Sequence, residues 1–448
     1  KLGKLSQQLV AIVAEGRGKR IYLPATVEQE SLALSACVDG NPTAKIEHWA
    51  GCTNSVVYGL DSFEKLFSPR QSLALVTFSD INRELISRIK RDAINVGYVD
   101  DQVGLDSGGT GVTAYAQSVA IYLSFAINKL ADLGNNLCAW EPLAQCPRHL
   151  FGKQAIPMVW DYAESNPLSN SSGSWSVVVN GIYKTIAKSF EKVSLTSIGV
   201  SVQADARSQN ISKNRVISID PPYYDNIPYS NLSDFFYIWL RLNLRGVFPD
   251  LFSTLVVPRA EELVATASRH GGKSEAEKYF LHGMTETMRN LAENAHPSCP
   301  VTIYYAFKQS KTSNSGTSSS GWETFLDAVF AANLSIVGTW PIRTENASRM
   351  RGQRSNALAS SIVLVCRKRP ADAPAISRRE FIRELNAVLP EALDEMTKGS
   401  GDERSPVAPV DLSQAIIGPG MAVFSKYAAV LEADGTPMSV KTALQLIN

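Results

Sequence analysis

One stretch of this chain carries groups in a spacing that could do chemistry. Asp220-Pro221-Pro222-Tyr223 comes directly after Val216-Ile217-Ser218-Ile219, a short β-branched run that reads as a strand. Proline can neither donate a ladder hydrogen bond nor continue a central strand, so the chain must leave the sheet at Asp220. In an open α/β sheet the carboxyl end of a strand faces the ligand crevice. An acid, two rigidly aimed carbonyls and an aromatic ring presented there suit one task, holding an exocyclic amino group on a flat base. The Asp220 carboxylate and the Pro221 carbonyl can accept the two amino hydrogens, localising the nitrogen lone pair toward an incoming methyl group. Tyr223 can stack on the base, which requires the base to be flipped out of its duplex.

Asp220 to Tyr223 resembles the catalytic motif of amino-directed, S-adenosyl-L-methionine-dependent DNA methyltransferases, and its Asp-first form is that of adenine N6 enzymes. The longer run DPPYYDNIPYSNLSDFFYIWLR (220–241) resembles the large zinc-ribbon-containing adenine-specific DNA methylases found beside anti-phage genes. LFSPRQSLALVTFSD (66–80), GGTGVTAYAQSVAIYLSFA (108–126), QAIPMVWDYAESNP (154–167), TIYYAFKQ (302–309) and NALASSIVLVCR (356–367) extend the similarity over most of the chain. The resemblance implies an α/β fold with a Rossmann-like methyltransferase sheet, helical insertions and an accessory C-terminal helical region. It also implies Asp220, Pro221, Pro222 and Tyr223 as catalytic residues and S-adenosyl-L-methionine as methyl donor. The implied partners are double-stranded DNA with a flipped target base and proteins of a restriction-modification or anti-phage defence system.

The elements that position the motif can be read in order. Ile198 to Val202 is expected as a strand ending near Asp205, the candidate cofactor-binding acid, with an N-cap as the competing role. The aromatic helix 235–240 packs as core. A helix over 283–294, strands over 301–307, 334–340 and 361–366, and a helix over 322–332 finish the sheet with an antiparallel last strand. The chain divides on this pattern into four regions: 1–100, a mixed α/β insert; 101–194, helical and walling the cleft; 195–370, the catalytic half; 371–448, the helical tail.

Upstream, LSQQLVAIVAEG reads as a helix, Arg20 to Leu23 and Ser55 to Tyr58 as strands. Ser68, Pro69 and Gln71 signal a capped helix with Leu73, Val76, Phe78, Ile81, Leu85 and Ile89 on one face. Gly108-Gly109-Thr110-Gly111 opens the helix 112–133 and invites a cofactor-loop reading, but no apolar strand precedes it, so a structural turn is the better reading. The family's acid-Pro-Phe-x-Gly-x-Gly loop is not found in the sequence. With its ends reading as cut, the chain is expected to be an internal piece of a longer protein that does not methylate DNA by itself. The alternative is a non-catalytic nucleic-acid-binding or scaffolding segment.

The charge balance bears on the polyanion. With 44 basic and 43 acidic residues in 448, affinity for DNA must come from local patches. Arg349, Arg351 and Arg354, in the connection before the last strand, are candidate phosphate contacts, as are Arg269 and Lys273 beside Gly271-Gly272. The region 258–280, which also holds Arg259, Glu261 and Glu262, reads first as a mobile loop with solvated charges. Six cysteines and five histidines show no metal-binding spacing, so no metal is expected and the thiols read as reduced and cytoplasmic. No signal peptide and no membrane-spanning run is present in the sequence, so a cytoplasmic location without membrane is expected.

Overall fold

The structure, a computed structural model, describes residues 6–191, 199–225, 227–305, 320–343, 360–397 and 415–447. The fold is mixed α/β, and the chain divides into two compact units, Lys1–Ser201 with Pro228–Glu262, and Val202–Ile227 with Leu263–Asn448.

The first unit begins with a hairpin in place of the helix expected over 5–16. Strands β1 (Ala11–Glu15) and β2 (Arg20–Pro24) pair antiparallel, Ala11 opposite Pro24 and Glu15 opposite Arg20. Ile12-Val13 is β-branched and alternates exposed with half-buried positions, and Gly18, at φ 72°, supplies the left-handed turn that a helix cannot contain. Thr26 and Gln29 form a capping box that starts α1 (Val27–Leu34). Ser55 to Tyr58 is also not a strand; it lies in a 3-10 turn closed by Gly59 at φ 96°.

The bulk of this unit is a helical assembly. Ser68 and Gln71 form the predicted capping box on α2 (Pro69–Asn95), and Pro69 occupies the first turn, where its missing N–H costs nothing. Behind it come α3 (Val112–Leu133), a short ladder of β3 (Trp140–Glu141) with β4 (Cys146–Pro147), α4 (Trp175–Phe190) and α5 (Tyr229–Leu244). Phe235 and Trp239 of α5 are buried, Phe235 stacked 5.8 Å from Phe67 and Trp239 edge-on to the same ring at 5.5 Å.

The buried stripe of α2 differs from the apolar one. Ser72, Leu75, Ser79 and Asn82 face the core, while Leu73 and Ile81 are exposed. The reason is a polar network. Asn82 donates to the Ala120 carbonyl (3.1 Å), Ser124 Oγ (3.0 Å) and Asn243 Oδ1 (3.2 Å), and Asn243 donates to Ser79 Oγ (3.1 Å) and the Trp239 carbonyl (2.8 Å). Buried amides with partners fix the register of α2, α3 and α5, which a pattern of apolar residues does not reveal.

The second unit is organised on a four-stranded sheet of β5 (Ser218–Ile219), β6 (Val301–Tyr305), β7 (Leu334–Arg343) and β8 (Ser360–Lys368) in the order β5-β6-β8-β7. β5 runs parallel to β6, and β8 is antiparallel to both β6 and β7. Strands 334–340 and 361–366 and the antiparallel final strand thus form as expected. The strand expected over 198–202 does not: 199–204 have no ladder partner, and Val200 is 85% exposed. β5 is thus the end strand of the sheet, and this segment does not pair with its open edge.

Helices α6 (Lys273–Asn294) and α7 (Ser320–Ala331) contribute Phe280, Met284, Met288, Phe325 and Val329 to one core with Ile303 and Leu364 of the sheet. The C-terminal segment adds to this same core. Within it β9 (Ala375–Ser377) pairs parallel with β10 (Ala429–Leu431), and α8 (Arg378–Thr397), α9 (Ile417–Ser425) and α10 (Val440–Ile447) supply Phe381, Leu385, Met421, Val423 and Leu444. Gly418 permits α9 to approach β7, since a Cβ there would lie 2.2 Å from Thr339 Oγ1. No helix among the described residues is long and apolar enough to cross a membrane.

Candidate active site

The tetrapeptide sits at the carboxyl end of β5, where the two prolines end the ladder with β6 after Ile219. The backbone then reverses tightly. Tyr224 adopts φ 48°, a left-handed conformation that a bulky residue takes only when its surroundings fix it. Three contacts do so. Its N–H donates to the Pro222 carbonyl (3.1 Å), its carbonyl accepts from Ala265 N–H (3.0 Å), and its ring lies edge-on to Phe280 at 5.1 Å. Burial, with the charges of Glu277 and Asp225, pushes the Tyr224 hydroxyl up to about 12, so it stays a neutral anchor.

The consequence is a division of labour along five residues. Pro222 and Tyr224 spend their polar groups on the turn. The Asp220 carboxylate is exposed, and among the described residues nothing donates to it or to the Pro221 carbonyl. Tyr223 is half-buried and stands edge-on to Tyr305 (5.5 Å, 81°). Tyr305 ends β6 and is itself layered against Phe325 (4.0 Å, 6°) and Trp322 (5.2 Å, 5°) of α7. These three rings are buried and brace Tyr223 from behind. TIYYAF reads in the sequence only as a buried strand, and nothing in it says that Tyr305 would meet Tyr223.

The other candidate residues are placed elsewhere. Asp205 lies on an exposed turn, clasped by Arg207, whose Nη2 is 2.7 Å and Nε 3.1 Å from the carboxylate. Hydrogen bonds from this guanidinium and from the Arg207 N–H hold the Asp205 carboxyl below the usual carboxylate range. Asn290 of α6 ties the turn down through the Ala206 and Gln209 carbonyls. Arg269 is half-buried, and Lys273 is exposed at the first turn of α6, which begins ten residues earlier than expected. Arg349, Arg351 and Arg354 lie outside the described residues.

Two readings of the first unit are settled by hydrogen bonds. Asp101 accepts from the N–H groups of Thr110 (2.8 Å), Gly111 (3.0 Å) and Val103 (3.0 Å), so the amides opening α3 are already occupied by a carboxylate of the chain. Gly109 is required because a Cβ would fall 2.0 Å from the Val103 carbonyl oxygen. The Gly108 to Gly111 stretch is therefore a structural turn. Within 258–262, Arg259 and Glu262 are engaged by the protein, while Glu261 is exposed. Arg259 pairs with Asp234, whose side chain is 4% exposed, and with Glu47 at 3.3 Å, while Glu262 accepts from Ser230 N–H (2.9 Å) and Oγ (2.6 Å) at the start of α5. That part of the loop is pinned to the helix by ion pairs. Glu164 is likewise structural, bonded to Arg70 (2.8 Å) and Ser68 (3.1 Å).

No family model, curated protein or solved structure matches this chain. Among the described residues no group of three or more His, Cys, Asp or Glu side chains is placed to hold a metal ion.

Proposed function

We propose that the chain carries the base-holding site of a DNA methyltransferase acting on an exocyclic amino group, that of adenine N6, in a restriction-modification or anti-phage setting. The observation that carries this reading is the pairing of an unengaged Asp220 carboxylate and Pro221 carbonyl with a braced Tyr223 at the end of a parallel strand. The chain order of β6, α7, β7 and β8, with β8 antiparallel, supports it, because the sequence resemblance implies a sheet that finishes in this way.

In this reading the flipped base lies on Tyr223, and stacking on an aromatic face is worth about 1–3 kcal/mol. Asp220 and the Pro221 carbonyl accept the two amino hydrogens, which orients the amine and localises its lone pair. The carboxylate is also the nearest acceptor for the proton the amine gives up. S-adenosyl-L-methionine would supply the methyl group when bound. The residues considered for it do not fit it: Asp205 is clasped by Arg207, and the Thr110 and Gly111 amides are occupied by Asp101. These same occupied groups favour the second reading, a nucleic-acid-binding segment that holds a base without completing the reaction.

A duplex carrying 2-aminopurine at the target position tests the shared part of both readings. Binding of the chain should raise its fluorescence as the base unstacks, and Tyr223→Ala should weaken that binding about tenfold or more. Incorporation of tritiated methyl groups separates the readings, since Asp220→Ala should abolish an activity that exists. A Tyr223→Ala protein that binds and unstacks the base like wild type would overturn the assignment.

A further inference from the structure

The first unit contains a cavity of about 710 Å³ to which the tetrapeptide does not contribute. It is lined by Arg83 and Ile86 of α2, Gln117 of α3, and the end of α5 with the turn after it, at 241–243 and 245–247. Its volume suits a ligand of nucleotide size. Its lining has one sign of charge: three arginines and no acid.

The state of each polar group points to what is missing. Among the described residues the Arg241 guanidinium makes no ion pair, and its Nε is closed off below the lining without a hydrogen-bond partner. A buried donor on a charged group is costly unless something accepts from it. Arg245, one helical turn on, makes no ion pair among the described residues, and Arg83 is paired only with Asp80 on its own helix. Gln117 is oriented by the Leu105 N–H, which donates to Oε1 at 2.6 Å, so its NH₂ is the end left to donate. Asn243 is fully engaged in the network with Asn82 and Ser79 and forms a rigid floor.

A simpler account exists for part of this. Arginines in the last turn of a helix interact favourably with its carbonyl end, and Arg241 and Arg245 sit there. That account does not reach Arg83, which comes from α2. The last-turn carbonyls are in any case engaged, Arg241 accepting from Arg245 N–H and Leu244 from Val247 and Phe248 N–H. Planar guanidinium forks that line one cavity from two helices can pair with the oxygens of a tetrahedral oxyanion.

We propose that this cavity binds a phosphate ester through Arg83, Arg241 and Arg245, with the Gln117 amide as an additional donor. The ester could be supplied by a free nucleotide or by a nucleic-acid backbone, and the chemistry is the same for both. The site is independent of Asp220 and Tyr223, so it stands or falls apart from the reading above.

Titration calorimetry on the full chain with adenosine triphosphate, and fluorescence anisotropy with a labelled twelve-nucleotide single strand, form the two arms. Saturable binding in the first identifies a nucleotide site, and saturable binding in the second alone identifies a backbone site. In either arm Arg241→Gln with Arg245→Ala should weaken binding at least tenfold. Because that pair of changes could disturb α5, a second measurement uses the unaltered protein. Phenylglyoxal labelling followed by mass spectrometry should show Arg241 and Arg245 protected by whichever probe binds, with exposed Arg91 on α2 labelled equally in both conditions. Absence of binding in both arms, or binding that leaves Arg241 and Arg245 equally labelled, overturns the proposal.

Discussion

Asp327 sets up a pH dependence that runs opposite to the usual one for carboxylates. It lies half-buried on α7, where burial first and the charge of Glu323 second raise it from its ordinary value to about 6. Burial raises Glu323 in turn, Lys441 of α10 draws it down, and Glu277 of α6 adds to the rise. In the unfolded chain Asp327 should titrate near 3.9. The folded state therefore binds its proton more tightly, and stability falls as pH rises from about 4 to about 6. Two pH units correspond to roughly 2.7 kcal/mol without screening, and water at this partly exposed site reduces that to about 1–1.5 kcal/mol. Asp327→Asn keeps the shape and removes the charge. At pH 7.5 the variant should melt about 2–6 °C above wild type, for a unit of this size, and at pH 4 the two should coincide. Thermal unfolding followed by tryptophan fluorescence at pH 4, 5, 6 and 7.5 measures the difference. A constant offset between the two proteins at all four values would refute the argument.

Two other sets of contacts give further expected outcomes. Arg259→Ala leaves the Asp234 carboxylate buried without its guanidinium and should cost about 3–5 kcal/mol in urea unfolding. An unchanged midpoint would mean that the 258–262 loop is not pinned as described. If Arg349, Arg351 and Arg354 contact phosphates, replacing all three with Ala should reduce the slope of log K against log salt for duplex DNA by about 2–3, equally for all sequences. An unchanged slope would rule them out as phosphate contacts.

The fold was legible in the sequence where a local rule has no competitor. The capping box at Ser68 and Gln71, the double proline ending β5, and the β-branched runs of β6 and β8 each admit one structure. It was not legible where the deciding partner is distant. Ala11 to Glu15 has enough apolar character for a helix, and only pairing with Arg20 to Pro24 makes it a strand. The buried face of α2 departs from its apolar stripe because Ser79 and Asn82, polar by type, are satisfied by α3 and α5 residues more than 40 positions away. At the candidate site the tetrapeptide was legible. The Tyr305, Trp322 and Phe325 brace was not, since ring contacts between a strand end and a helix leave no periodic trace. Arg259 looked solvated because Asp234 and Glu47, its partners, lie upstream and outside the loop.

The chain passes between its two units three times, after Ser201, Ile227 and Glu262. During synthesis this imposes an order. Helices α2 and α3 emerge first, but Phe67 and Asn82 lack Phe235, Trp239 and Asn243 until α5 has been made. At about 5–20 residues per second, the interval between the end of α3 and the end of α5 is several seconds, during which an apolar and amide-bearing face waits uncovered. Residues 202–227, with Asp220 among them, are translated inside that interval and then wait in turn for β6. A recombinant fragment ending at Ser201 would lack Phe235, Trp239 and Asn243 and so hold that unfinished face permanently.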